Sequence, residues 1–192
     1  MRTQKNYAES EVFMQELIYQ GKKYTRNRAK WTDSNHMTVH ETLQAELNKK
    51  YAENLDLSAL DTKTLVEEGD KCKEGETYDV AVAFYEEAVK SADEVTLQYV
   101  LPRITSCYRR MNTPRKAVKL FTIAKEKYGE EFLTPVLLTS VAAAYCDLQE
   151  YENALRCCKW AYKRYNGEPP PELYNVFLRI KNESETEVPY FH

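Results

Sequence analysis

The chain has 192 residues, enough for one domain with an extension or for two small ones. Hydrophobic residues make up 43% and charged residues 30%, which permits a packed core and excludes wholesale disorder. A formal net charge of -3 gives no global attraction to nucleic acid or to anionic membrane, and no apolar run reaches the roughly 18–20 residues of a membrane-crossing helix.

In chain order, residues 1–10 are expected to be disordered. Met1 to Glu11 is polar and lacks a segment resembling a signal peptide, so the protein is expected in the cytoplasm. Glu11 to Tyr19 is apolar and reads equally as helix or strand. Gln20-Gly21-Lys22 and Asp33-Ser34-Asn35 read as tight turns, which gives a β-hairpin or a three-stranded meander over roughly 16–39. Thr38 with Glu41 three later is a capping-box pattern. It predicts a helix over about 40–54, with Leu43, Leu47 and Tyr51 in one row, either capping the next helices or standing apart as a docking element. Residues 1–60 are read as an N-terminal extension, 61–182 as a helical domain and 183–192 as a frayed tail.

From residue 62 apolar residues recur at helical spacing, and a fixed set of positions repeats. An anchor is followed by a small residue nine later, a bulky or sulfur residue four after that, and a small residue three further on. The sets are Cys72, Ala81, Tyr85, Ala88; then Tyr108, Ala117, Phe121, Ala124; then Tyr145, Ala154, Cys158, Ala161. Three residues before each anchor stand Gly69, Thr105 and Ala142. Two antiparallel helices approach most closely where both side chains are small, so these three are expected to face Ala81, Ala117 and Ala154. One such hairpin cannot bury its own apolar face, so neighbours must stack.

Turns fit that register. Glu74-Gly75-Glu76, Met111 to Pro114 and Leu148 to Tyr151 separate the helices of each pair, with Thr113 as a predicted N-cap and Pro114 at the first helical position. Gly129 and Gly167 suit the left-handed residue that ends a helix. Pro135 opens the next helix, whereas Pro102 predicts a late start or a kink. After Pro169-Pro170-Pro171 comes a helix over about 172–182, with Leu173, Val176, Phe177 and Ile180 on one face, the natural cap of the last pair.

The segment from about 62 to 168 resembles three tetratricopeptide repeats. The best copy is Leu138, Val141, Ala142 and Tyr145, then Tyr151 and Ala154, then Ala161-Tyr162. Leu65, Leu101 and Leu138 stand where the family carries Trp. The resemblance implies an all-α helical-hairpin solenoid of about three repeats with a C-terminal capping helix, behind a small extension holding the β-hairpin. It also implies that the first helix of each hairpin lines a concave groove. By register the lining residues are Lys63, Val66, Asp70 and Lys73; then Tyr99, Ser106, Arg109 and Arg110; then Val136, Thr139 and Ala143. This surface is suited to an extended peptide carrying an acidic group. The Asn- and Lys-containing clamp of chaperone-binding members is not reproduced.

No phosphate loop, nucleophile elbow or Cys-x-x-Cys pair appears, and no cofactor or metal site is expected. His36 and His40 lack a third ligand. The five cysteines (Cys72, Cys107, Cys146, Cys157 and Cys158) are odd in number and lack an export signal, which favours reduced thiols; adjacent Cys157 and Cys158 read as small core residues. Lys22, Lys23, Arg26, Arg28 and Lys30, beside Tyr24 and Trp31, form a basic strip that could track a phosphate backbone and stack bases, or simply a charged edge strand. The expected function is a non-enzymatic protein-interaction adaptor. The alternatives are a nucleic-acid-associated accessory protein and a peptide-sensing regulator. The open end of a short stack can pair with a second copy, and the sequence leaves the oligomeric state open.

Overall fold

A computed structural model describes residues 15–27 and 29–184. The predicted disordered start lies outside that range, as do Arg28 and most of the predicted frayed tail. Among the described residues the chain forms a three-stranded antiparallel sheet and eight α-helices.

The meander is what forms at the N-terminus. Strands β1 (Gln15–Tyr19), β2 (Lys22–Asn27) and β3 (Lys30–Thr32) lie in the order β1-β2-β3. Gln20 and Gly21 both have positive φ, which gives the twist a two-residue hairpin needs. Leu17 pairs with Tyr24 and Arg26 with Trp31, so all four occupy one face. That face packs on α1 (Glu41–Glu53), where Leu17, Tyr24, Trp31 and Leu47 make a small core. Polar groups fix the docking. Trp31 Nε1 donates to Asn48 Oδ1 at 2.8 Å, and Asn48 Nδ2 donates to Thr77 Oγ1 at 2.7 Å. Gln44 accepts from the Trp31 amide and donates to its carbonyl. The capping box does not form: Thr38 bridges to Thr32 instead, and His40 caps α1 by accepting from the Thr42 amide.

A 3₁₀ turn at Leu57–Ala59 leads into α2 (Thr62–Glu74), α3 (Tyr78–Val89), α4 (Glu94–Arg110), α5 (Pro114–Tyr128), α6 (Pro135–Asp147), α7 (Tyr151–Arg164) and α8 (Pro171–Glu183). Helices adjacent in sequence pack together from α2 to α8, and α4 also touches α6, as α6 touches α8. The alternate helices α2, α4 and α6 start at side-chain caps. Asp61, Asp93 and Thr134 each accept from the amide three residues on, which satisfies an otherwise orphaned donor. Thr113 makes no such cap; its hydroxyl donates to the Tyr108 carbonyl.

The turns inside the pairs share one backbone solution. Glu76, Asn112 and Gln149 have φ of 58°, 55° and 61°. The amide after each bonds back to the carbonyl of Cys72, Tyr108 and Tyr145 at 2.8–2.9 Å. This is the Schellman geometry, carried on residues with side chains. In the first turn the left-handed residue is Glu76 and not Gly75, whose φ is -79°. Gly129 takes positive φ as the C-cap of α5; Gly167 takes it too but does not end a helix, since α7 stops at Arg164 with Tyr165 as its C-cap.

The small residues at 36- and 37-residue intervals are buried: Thr105, Ala142, Ala81, Ala117 and Ala154 are each 0% exposed. Gly69 is buried as well, and a larger side chain lies closest to it. The place of its missing Cβ lies against the ring of Tyr85, with Cε1 at 2.5 Å. Of the two expectations at Pro102, the late start does not occur, since α4 runs through it from Glu94. Proline removes a helix bond and crowds the preceding turn. The carbonyl that loses its amide donor is that of Gln98; at the neighbouring carbonyl, that of Tyr99, the Arg103 side chain donates at 3.0 Å.

Candidate functional site

The alternate helices share a surface, and two charge clusters bind them side by side. In the first, Asp70 of α2 accepts from Tyr85, from Tyr99 at 2.7 Å and from Arg103 Nε at 2.9 Å. The Arg103 guanidinium also lies 3.3 Å from the centre of the Tyr99 ring. In the second, Asp147 at the end of α6 lies between two guanidiniums. Arg109 of α4 donates to it at 2.7 Å, and Arg179 of α8 donates to its other oxygen. Arg179 also reaches Glu183. Burial opposes ionisation of Asp147, but the bonds from Arg109 and Arg179 outweigh it and hold the carboxyl below its ordinary range.

Between α4, α6 and α8 opens a cavity of about 380 Å³, walled by Ser106 and Arg109, then Thr139, Ser140 and Ala143, then Asn175 and Arg179, among others. Four predicted groove residues, Ser106, Arg109, Thr139 and Ala143, therefore meet in one concavity. Tyr99 and Val136 are exposed near the starts of α4 and α6. Asp70 is occupied by its own cluster. Lys63 is exposed and lies 3.8 Å from Glu67. Val66 and Lys73 are half-buried on α2, and Arg110 is exposed at the end of α4. Among the described residues neither Lys73 nor Arg110 makes an ion pair. Arg109, by contrast, is matched by Asp147 and is less available to a ligand than its charge suggests.

No protein-family model matches the chain, and a search of curated proteins finds no match.

Arg103, Ser140, Asp147, Asn175 and Arg179 were not among the predicted site residues. A signal for the last two was present. Ser106 to Ala143 is 37 residues and Ala143 to Arg179 is 36, so the same register carried into α8 reaches Arg179, and Thr139 leads likewise to Asn175.

The basic N-terminal strip separates in the structure. Arg26 is 1% exposed and points into the protein. It donates to Glu68 of α2 at 2.8 Å and lies over the rings of Trp31 and Tyr51. Tyr24 and Trp31 are buried too, so neither can stack on a base. Lys22 and Lys30 stay exposed, and Lys23 pairs with Glu16 at 2.7 Å.

All five cysteines are buried. Burial pushes the thiols of Cys72, Cys107, Cys146 and Cys157 up to about 11, and that of Cys158 further. Such thiols are poor nucleophiles at neutral pH. His36 lies in a turn with φ 61° while His40 caps α1. Among the described residues no group of His, Cys, Asp or Glu is arranged to hold a metal ion, and no helix is long and apolar enough to cross a membrane.

Proposed function

We propose that the chain is a non-enzymatic adaptor of the tetratricopeptide-like kind. In this reading α2–α3, α4–α5 and α6–α7 are three stacked hairpins, α8 closes them, and the surface of α2, α4, α6 and α8 holds an extended segment of a protein partner. The observation that carries the reading is the cavity between α4, α6 and α8, whose walls come from helices that are not neighbours in sequence. Glu172 stands in that cavity's wall, so the preference for an acidic segment rests on cations elsewhere on α2 and α4. Once Arg103 and Arg109 are matched by Asp70 and Asp147, Lys73 and Arg110 remain as available cations on a protein of net charge -3. Exposed Tyr99 and Val136 offer apolar contact at the other edge.

The test is fluorescence anisotropy with labelled peptides in which Leu alternates with Glu, Gln or Lys. The Glu peptide is expected to bind best, and Lys73→Glu with Arg110→Glu to weaken it about tenfold, the scale of two solvated charge contacts. Equal binding by the charge-reversed protein, or binding of none of the peptides, would refute the assignment of this groove.

A further inference from the structure

Two helices outside the groove gather positive charge on a chain of net charge -3. Between them α5 and α7 carry nine lysines and arginines, against Glu126 and Glu152 as their acids. They lie side by side, with Lys125 of α5 at 5.1 Å from the ring centre of Trp160 of α7 and with Phe121 and Cys158 in one core cluster. The residues that α7 leaves exposed are Glu152, Arg156, Lys159 and Lys163, a single row at one-turn spacing. On α5, Arg115 and Lys119 are exposed and four apart, and Lys119 corresponds to Arg156 in the 37-residue register. The ion pairs of α5 and α7 belong to Lys125 and Arg164; among the described residues those five exposed cations make none. Elsewhere the exposed Lys50, Lys63 and Lys90 each stand one turn from a glutamate with which they pair. Like charges one turn apart repel, so the α5–α7 face opposes itself until an anion covers it.

We infer that this face holds the phosphate backbone of a nucleic-acid duplex, without reading its sequence. The charge is laid out in lines. Arg156 to Lys163 covers about 10 Å of helix, and packed helices run about 10 Å apart, so the cations form two neighbouring rows. An extended acidic peptide follows one row. A duplex has two charged strands, which border grooves about 6–12 Å wide and supply phosphates to both rows. A lipid surface fits less well. The large apolar groups exposed on α5 and α7 are Ile123 and Tyr128, and Tyr128 is stacked on Phe132, so the face lacks the apolar wedge that an interfacial helix buries. Trp160 is held between Lys125 and Arg164, which leaves backbone contact and not base stacking as the mode of binding. Charges are screened beyond about 10 Å at 0.1 M salt, so a ligand here meets the local charge more than the net charge of the chain. The face lies apart from the four helices of the proposed groove and does not rest on that reading.

Fluorescence anisotropy of the full chain with labelled DNA and RNA duplexes of about 20 base pairs tests this. Binding of either duplex is expected, with an affinity that falls more than about a hundredfold between about 50 and about 200 mM salt. Lys159→Gln with Lys163→Gln, at positions open to solvent, is expected to leave the helical circular dichroism unchanged and to make the slope of log affinity against log salt shallower by about 2. Lys22→Gln with Lys30→Gln, which removes exposed cations of the sheet, is expected to leave the slope as it was. Poly-glutamate and vesicles containing phosphatidylserine serve as competitors. Failure of both duplexes to bind at about 50 mM salt, or an unchanged slope in the α7 variant, overturns the inference. So does displacement of the duplex by either competitor at equal concentration of charge.

Discussion

Gly69→Ala sets two effects of opposite sign against each other. In an open helix the change stabilises by about 1 kcal/mol, because alanine is the better helix former. At this position the new Cβ would stand 2.5 Å from Tyr85 Cε1, 2.7 Å from Cδ1 and 3.0 Å from Cζ, where carbon atoms need about 3.5–4.0 Å. The ring would have to move by about 1 Å. It is 0% exposed, sits among Cys72, Ala81, Val100 and Ile104 in one core cluster, and its hydroxyl is tied to Asp70. Overpacking of a fixed core costs about 1–3 kcal/mol, so the net expectation is a loss centred on about 1 kcal/mol. Urea unfolding followed by circular dichroism measures it. The companion variant Tyr85→Leu, itself destabilising, should make Gly69→Ala neutral or favourable, giving a coupling of about 1–3 kcal/mol in the double-mutant cycle. A Gly69→Ala protein as stable as the parent or more so, or a cycle with no coupling, would refute the reasoning.

Two other outcomes arise from buried charge. Arg26→Met leaves Glu68 buried beside Gln15 and Lys71 without its guanidinium, at an expected cost of about 3–5 kcal/mol; Arg26→Met with Glu68→Leu should recover much of that, and a single variant costing under about 1 kcal/mol would contradict the role of the pair. Because Asp147 is held below its ordinary value of about 3.9, the unfolded chain binds more protons at this group than the folded one. Its stabilisation is therefore present above about pH 4 and lost as pH falls through the folded value, so Asp147→Asn should flatten that part of the acid limb of urea midpoints; parallel limbs for the two proteins would count against it.

The helical part was legible because close approach of helices leaves a narrow choice of side chain. Ala81, Ala117 and Ala154 recur at nearly constant intervals for that reason, and Pro114 and Pro135 mark helix starts where no amide is needed. The left-handed turns at Glu76, Asn112 and Gln149 were hidden, since backbone bonds impose them without a glycine to announce them. Pro102 does not delay α4, because a proline inside a helix removes a single main-chain donor and the helix already runs from Glu94. For Arg26 the information was available and overruled by its charge. It stands two residues after Tyr24, so strand alternation places it inward, where Glu68 and two aromatic rings receive it. Of the residues grouped by register, Ser106, Arg109, Thr139 and Ala143 line one cavity. What went unseen was that Asp70 and Asp147 pair with Arg103 and Arg109, because pairing between distant helices leaves no local mark in sequence.

The repeated turn at Glu76, Asn112 and Gln149 separates two kinds of information. The angle within each helix pair is held by main-chain bonds from Thr77, Thr113 and Glu150, which do not depend on which side chains the helices display. The exposed positions of these helices can thus change in sequence without altering how the helices are hinged. Divergence among copies of such a scaffold would then accumulate in what is recognised while the spacing of the recognising surface stays the same.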